Sequence, residues 1–191
     1  MSARTVTVQA FTFDELADDV RASLIEDERR YALECWLTIE VSERLVDGIV
    51  SRLDGVEDVD VTAWSLDYYP GAVVEGRVVD AHALAAALGH EGRDVGDGLT
   101  LDPFHGQGVY PGHTYVIRHD PEDGPNRDEA LTSALAVIVD GALGEASAWE
   151  HEVTSDEALA EDLRGRGLLF DRRGQVLDVD DPAAILGEVT P

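Results

Sequence analysis

The sequence predicts an α+β fold, with an antiparallel sheet packed by amphipathic helices in a single compact domain spanning residues 1–191. Short β-branched stretches alternate with helix-length apolar stripes, and capping signals stand where the helical stretches begin. Hydrophobic residues make up 44% of the chain, enough to bury a core.

Residues 4–11 alternate β-branched and polar side chains and read as a half-buried strand. Thr12 then caps a helix. Glu15 completes a capping box three residues later, Phe11 and Leu16 hold the staple positions, and Leu16, Val20 and Leu24 form the buried stripe. A second helical pattern covers 31–53, with Trp36, Ile39, Val46, Ile49, Val50 and Leu53 on its core face, and Asp54-Gly55 ends it.

The β-branched and aromatic content of 56–69 and 71–79 predicts two antiparallel strands joined near Pro70-Gly71, followed by a short helix over 80–88. Residues 89–112 are rich in Gly and Asp and read as a long surface connection. Tyr115, Val116 and Ile117 mark another strand. Asn126, three residues before Glu129, caps a long helix carrying Leu131, Leu135, Ile138, Ala142 and Trp149, and Thr154 with Glu157 caps the next. Residues 168–170 and 176–179 flank Arg173-Gly174 as a terminal hairpin, and Asp181-Pro182 opens a final helical turn.

Charge is the strongest functional signal. Forty Asp and Glu stand against 14 basic residues, all of them Arg, for a formal net charge of −26. The excess is even: residues 1–100 and residues 101–191 each carry −13. Such a field repels phosphate and attracts cationic surfaces, which argues against direct nucleic-acid binding and against anionic membrane surfaces. No signal-peptide pattern opens the chain and no apolar run is read as approaching the roughly 18 residues needed to span a bilayer, so a cytoplasmic protein is expected. The single cysteine, Cys35, excludes an intramolecular disulfide and reads as a buried small hydrophobe in an apolar helix.

Exposed acids on the helices and their flanks are the candidate partner-binding residues. They are Asp18, Asp19, Glu26, Asp27 and Glu28; Asp120, Glu122, Asp123, Asp128 and Glu129; and Glu150, Glu152, Asp156, Glu157, Glu161 and Asp162. Local structure also accounts for some of them, since Glu15, Glu129 and Glu157 suit capping boxes and Asp156 suits a helix N-terminus. Exposed Val and Leu of the terminal hairpin fit a homodimer, which net self-repulsion opposes at low salt.

Catalytic signatures are sparse, and no catalytic residue, cofactor or metal is assigned. His82, His90, His105, His113, His119 and His151 supply ligand and base chemistry, several of them around the Gly-rich connection, but without a recognised ligand spacing. Gly96-Asp-Gly98 and Gly106-Gln-Gly108 are too short for a phosphate loop and lack its Lys. Trp64, Tyr68 and Tyr69 read as sheet core rather than a base-stacking platform. The enzyme or ligand-binding alternative therefore rests on His105 and His113 converging on one pocket. A further alternative is an acidic structural module whose charge serves only solubility.

Three blocks carry a resemblance. They are the opening 6–16, Val-Thr-Val-Gln-Ala-Phe-Thr-Phe-Asp-Glu-Leu; the central 64–72, Trp-Ser-Leu-Asp-Tyr-Tyr-Pro-Gly-Ala, with Glu75-Gly76; and the late 154–161, Thr-Ser-Asp-Glu-Ala-Leu-Ala-Glu, with Phe170 and Gly174. In this order they resemble a group of uncharacterised phage and prophage accessory proteins with a Phe-x-Glu-Leu helix start and a C-terminal Ser-Asp-Glu-Ala helix and Phe-x-x-x-Gly turn. The absence of Lys departs from that group's composition. The resemblance implies an accessory protein that counters host defence and transfers no catalytic residue. Joined to the charge, it leads to an acidic inhibitor whose carboxylates mimic DNA phosphates on a basic host surface.

Overall fold

The computed structural model describes residues 9–66, 71–95, 99–103, 115–119 and 128–177, with backbone alone at 62, 102, 103 and 115–119. After a single 3₁₀ turn at Phe13–Glu15, the order is α1 (Asp18–Cys35), α2 (Leu37–Val50), β1 (Val56–Ser65), β2 (Gly71–Val78), α3 (Ala81–Ala87), β3 (Leu99–Pro103), β4 (Tyr115–His119), α4 (Glu129–Val153) and α5 (Asp156–Gly165). The strands form one antiparallel sheet in the order β1-β2-β3-β4, so the α+β class read from the sequence is the class observed. The chain gathers into two compact units, residues 1–36 with 151–191 and residues 37–150.

In the first unit, the capping box at Thr12 closes one 3₁₀ turn rather than a long helix. The Thr12 backbone N–H and hydroxyl both donate to the Glu15 carboxylate, at 2.8 and 2.9 Å. Leu16 and Ala17 then return to extended dihedrals, and α1 starts afresh at Asp18. The expected stripe is therefore divided: Leu16 is buried in the turn, while Val20 and Leu24 reach the same core from α1.

That core joins Phe13, Leu16, Ala160, Leu163 and Phe170, with Phe11, Val20, Leu24, Ile25 and Leu168 packed around it. Each fully buried large side chain contributes about 1.5–3 kcal/mol. Phe11 and Phe170 exchange backbone hydrogen bonds at 2.9 Å, and Phe170 also bridges to Val176. The expected strand over 4–11 is described only from residue 9, and its last residue makes this bridge. The terminal hairpin closes at Gly174, whose φ of +87° brings its backbone against Val20 and Leu24. The helical turn expected at Asp181-Pro182 lies outside the described residues.

Ser155, not Thr154, caps α5. It is the residue with extended dihedrals, and its hydroxyl accepts from the Ala158 N–H at 3.2 Å.

The Thr12 bonds hold the Glu15 carboxyl below its ordinary value, the backbone N–H contributing most. A depressed folded value means a stabilisation complete above the unfolded carboxylate range and lost as pH falls through the lower folded value. An NMR titration is expected to show Glu15 titrating below the ordinary glutamate value. In Thr12→Val, which keeps the backbone donor, it should move only partway back.

The helix expected over 31–53 is broken at Trp36, the last residue of the first unit's opening segment, which leaves helical dihedrals at φ −132°. The break resets the phase. Leu37, Val41, Leu45 and Ile49 form the buried row of α2, at i, i+4, i+8 and i+12, whereas Ile39 and Val50, expected inside, are 62% and 44% exposed. In the first unit, Cys35 ends α1 on the surface, against the expectation of burial, because Ala32 fills the inward position of that last turn.

α2 packs on β1. The half-buried Trp64 donates its indole N–H to Ser42 Oγ at 2.7 Å, and that hydroxyl in turn donates to the Thr38 carbonyl at 3.0 Å. The indole is thus a sheet-to-helix tie, where the sequence alone reads as sheet core; Tyr68, Tyr69 and Pro70 lie outside the described residues. Asp80 caps α3 by accepting from the His82 and Ala83 N–H groups.

The connection expected over 89–112 contains β3, whose Leu99 and Leu101 are buried. Its five residues are too short to show periodicity. α4 begins at Glu129 with Asp128 as its cap, and the expected cap Asn126 lies outside the described residues. Leu131, Leu135, Val139, Ala142, Leu143 and Ala146 bury one face of α4. By length and composition alone α4 is apolar enough to cross a membrane, a property that the core helix of a soluble protein shares.

Candidate functional site

The acids predicted on α1 and α5 are exposed in large part, but arginines thread between them. Helical spacing places Asp19, Glu26, Asp27 and Glu34 on the face of α1 opposite Ala32. Arg21 pairs with Asp18, Arg29 with both Glu26 and Asp156, and Arg30 with Asp27. Arg166 is held by Glu28 in a fork at 2.8 and 2.9 Å and by Asp162, and Arg164 pairs with Asp14. Asp19, Glu152, Glu157 and Glu161 are exposed without an ion pair among the described residues.

Three expectations about these acids are corrected. Glu28 and Glu150 are half-buried rather than exposed. Asp128 is buried, with its side chain 1% exposed, where it accepts from the Leu131 N–H at 3.0 Å and forks onto Arg93 at 2.8 and 3.0 Å. A residue so placed holds the start of α4 and cannot meet a partner. Glu129 occupies the first turn of α4, where the helix dipole favours it, rather than the third position of a capping box. Asp120, Glu122 and Asp123 lie outside the described residues.

A further acidic face was not singled out from the sequence. β1 is an edge strand, and it pairs with β2 through two register shifts. Asp58 sits in the first shift with φ +54°, a left-handed conformation that Asp tolerates better than most residues. Val61 and Val74 turn inward, so Asp60 and Glu75, directly opposite each other, lie on the other face. Arg77 is shared by Glu57 and Asp58. That leaves Asp60 and Glu75 as a like-charge cross-strand pair with no cation bound to either among the described residues, an arrangement that costs stability.

Asp60→Lys is accordingly expected to stabilise the protein by about 0.2–1 kcal/mol, read as a higher urea midpoint. Unchanged or lowered stability would show that the two carboxylates do not repel.

Among the described residues, no group of three His, Cys, Asp or Glu is placed to hold a metal ion. His82 and His151 are exposed on helices, and His90 is half-buried with its backbone N–H bonded to the Ala85 carbonyl. His105 and His113, on which the ligand-binding alternative rests, lie outside the described residues, and His119 is described by its backbone in β4.

Arg44 and Arg52 line a pocket of about 360 Å³ between α2 and α4 with Asp47 and Glu145. Both guanidinium groups are already used: Arg44 stacks on the Trp149 ring at 3.9 Å, and Arg52 forks onto Glu145 at 2.6 and 2.9 Å. Comparison with protein-family models, curated proteins and solved structures finds no match for the chain.

Proposed function

We propose that the chain acts by stoichiometric binding, as a phage-type acidic protein that inhibits a host nucleic-acid-handling or defence protein. Its carboxylates occupy a basic surface of that partner where phosphates would otherwise sit. Duplex DNA presents about one charge per 1.7 Å of its axis, and proteins that bind it do so through Arg and Lys. A folded surface rich in carboxylates competes for the same cations.

One observation supports this reading above the others: the imbalance of charge in the sheet-bearing unit. Residues 37–150 hold 22 acids and 6 arginines, and the Asp60 and Glu75 pair of the outer sheet face is left without a counter-charge among the described residues. The helical acids first singled out contribute less, since arginines pair with Asp18, Glu26, Asp27, Glu28, Asp156 and Asp162. Direct nucleic-acid binding, membrane association and a cofactor have no part in this reading, and a cytoplasmic setting suits it.

A second reading, charge serving solubility alone, draws support from the arginines interleaved along α1 and α5 and from the spread of acids over both units.

The test is retention of host proteins on the immobilised chain at low and moderate salt, followed by a challenge with duplex DNA. A basic nuclease, polymerase or defence subunit released by the DNA is the expected result. The double reversal Asp60→Lys with Glu75→Lys should weaken its retention more than Asp19→Lys with Glu161→Lys. Equal retention of all variants, or no protein released by DNA, would favour the solubility reading.

A further inference from the structure

A groove of about 450 Å³ runs between α1 and α5 in the first unit, floored by Ala32 and Leu159, walled by the half-buried Trp36, and closed at one end by Glu28, Asp162 and Arg166. The Arg166 guanidinium lies in that end, taken by the Glu28 fork and by Asp162. These bonds raise the pKa of Arg166, the Glu28 hydrogen bond most of all. The groove thus already demonstrates the chemistry of its ligand: a planar cation gripped by two carboxylates, beside apolar surface and an indole.

The Arg166 backbone keeps helical dihedrals, and its N–H donates to the Asp162 carbonyl at 3.1 Å. It follows the last turn of α5 and is flanked by Gly165 and Gly167, around which no atoms crowd, with Gly167 at φ +63°. Its side chain is 41% exposed, so the guanidinium can leave the groove by side-chain rotation alone, without a backbone change.

We propose that this groove receives an arginine side chain of the basic partner, and that Arg166 is its internal occupant, displaced on binding. The inference rests on the proposed binding to a basic surface and adds a point of attachment to it. Two features select arginine. The two carboxylates match the guanidinium fork, and the apolar floor takes the aliphatic stem. With Arg166 displaced, Glu28 and Asp162 regain a cation of the same shape, so the half-buried Glu28 carboxylate is not left uncompensated.

The test uses nona-arginine and nona-lysine peptides as probes of the full chain by isothermal titration, with the Trp36 indole N–H signal followed by NMR. Arg166→Ala removes an intramolecular competitor and is expected to tighten nona-arginine binding about tenfold. Glu28→Gln is expected to weaken it about tenfold. Nona-arginine should shift the Trp36 signal and outcompete nona-lysine, which lacks the fork. Matching thermal melts would establish that the variants are folded, and Arg166→Lys, which keeps the charge, should fall between wild type and Arg166→Ala.

Nona-arginine binding that is unchanged in Arg166→Ala and Glu28→Gln would overturn the groove proposal while leaving the acidic binding function in place. Failure of the wild-type chain to bind either peptide at low salt would overturn both.

Discussion

Replacing Gly55 with alanine is expected to cost about 2–5 kcal/mol, the sum of a left-handed residue at about 1–2 kcal/mol and a forced backbone shift at about 1–3 kcal/mol. Gly55 has φ +75°, and a Cβ built on it would stand 2.2 Å from the Asp80 carbonyl oxygen and 2.9 Å from the Leu84 nitrogen. Both are backbone atoms, so no side-chain rotation relieves the clash. The same carbonyl of Gly55 accepts from the Val79 and Asp80 N–H groups at 2.8 and 3.1 Å, which ties the end of α2, the close of the β1–β2 hairpin and the start of α3 to one point.

Gly89→Ala is the matched control. Its φ of +78° carries the same conformational penalty, but no atom lies within 4 Å of the added methyl. It should cost only about 1–2 kcal/mol. Urea unfolding of the two variants separates strain from collision, and a Gly55→Ala variant no less stable than Gly89→Ala would contradict the close packing of this corner.

The second large effect is expected at Asp128. Asp128→Ala removes the cap of α4 and the buried partner of Arg93 together. Removing one member of a buried pair costs about 3–5 kcal/mol, and the partial exposure of Arg93 places this case near 3 kcal/mol. Arg93→Ala should also be destabilising, because it removes the cation forked onto the buried Asp128 carboxylate. The double variant should therefore lose less than the two single variants added together. Strict additivity in denaturant unfolding would show that the pair does not act as a unit.

These two positions also show how far the sequence carried. Asp54-Gly55 was legible as a helix stop because glycine in a left-handed turn is a local signal, while its crowding by Asp80 arises only once the hairpin has folded back. Asp128 read as a surface acid because nothing local distinguishes it: its burial depends on Arg93, 35 residues away.

The same division holds elsewhere. Capping residues at Thr12 and the start of α5 were visible within a residue, being fixed by neighbours three or four positions away. The break at Trp36 carries no Gly or Pro to announce it, so the phase of α2 and the exposure of Ile39, Val50 and Cys35 were misread.

The acidic sheet face was hidden by register. A turn centred on Pro70-Gly71 would set residue 60 opposite residue 81, whereas two bulges and an earlier reversal bring Asp60 opposite Glu75. One-residue shifts of this kind move whole sets of side chains relative to the partner strand, and a single sequence does not encode them locally. On α1 and α5 the acids were found and their arginine partners were not. Ion pairs such as Arg29 with Asp156 and Arg166 with Glu28 span more than a hundred residues of chain.

The central claim is that this chain and nucleic acid compete for one basic surface. The measurement that tests it most directly is the affinity of the purified partner for the chain as a function of salt, with and without duplex DNA. The account predicts that log Kd rises steeply and linearly with log salt, since charge pairs at exposed surfaces are screened within about 8 Å at physiological ionic strength, and that DNA and the chain exclude one another. An affinity insensitive to salt, or a stable ternary complex with DNA, would contradict it.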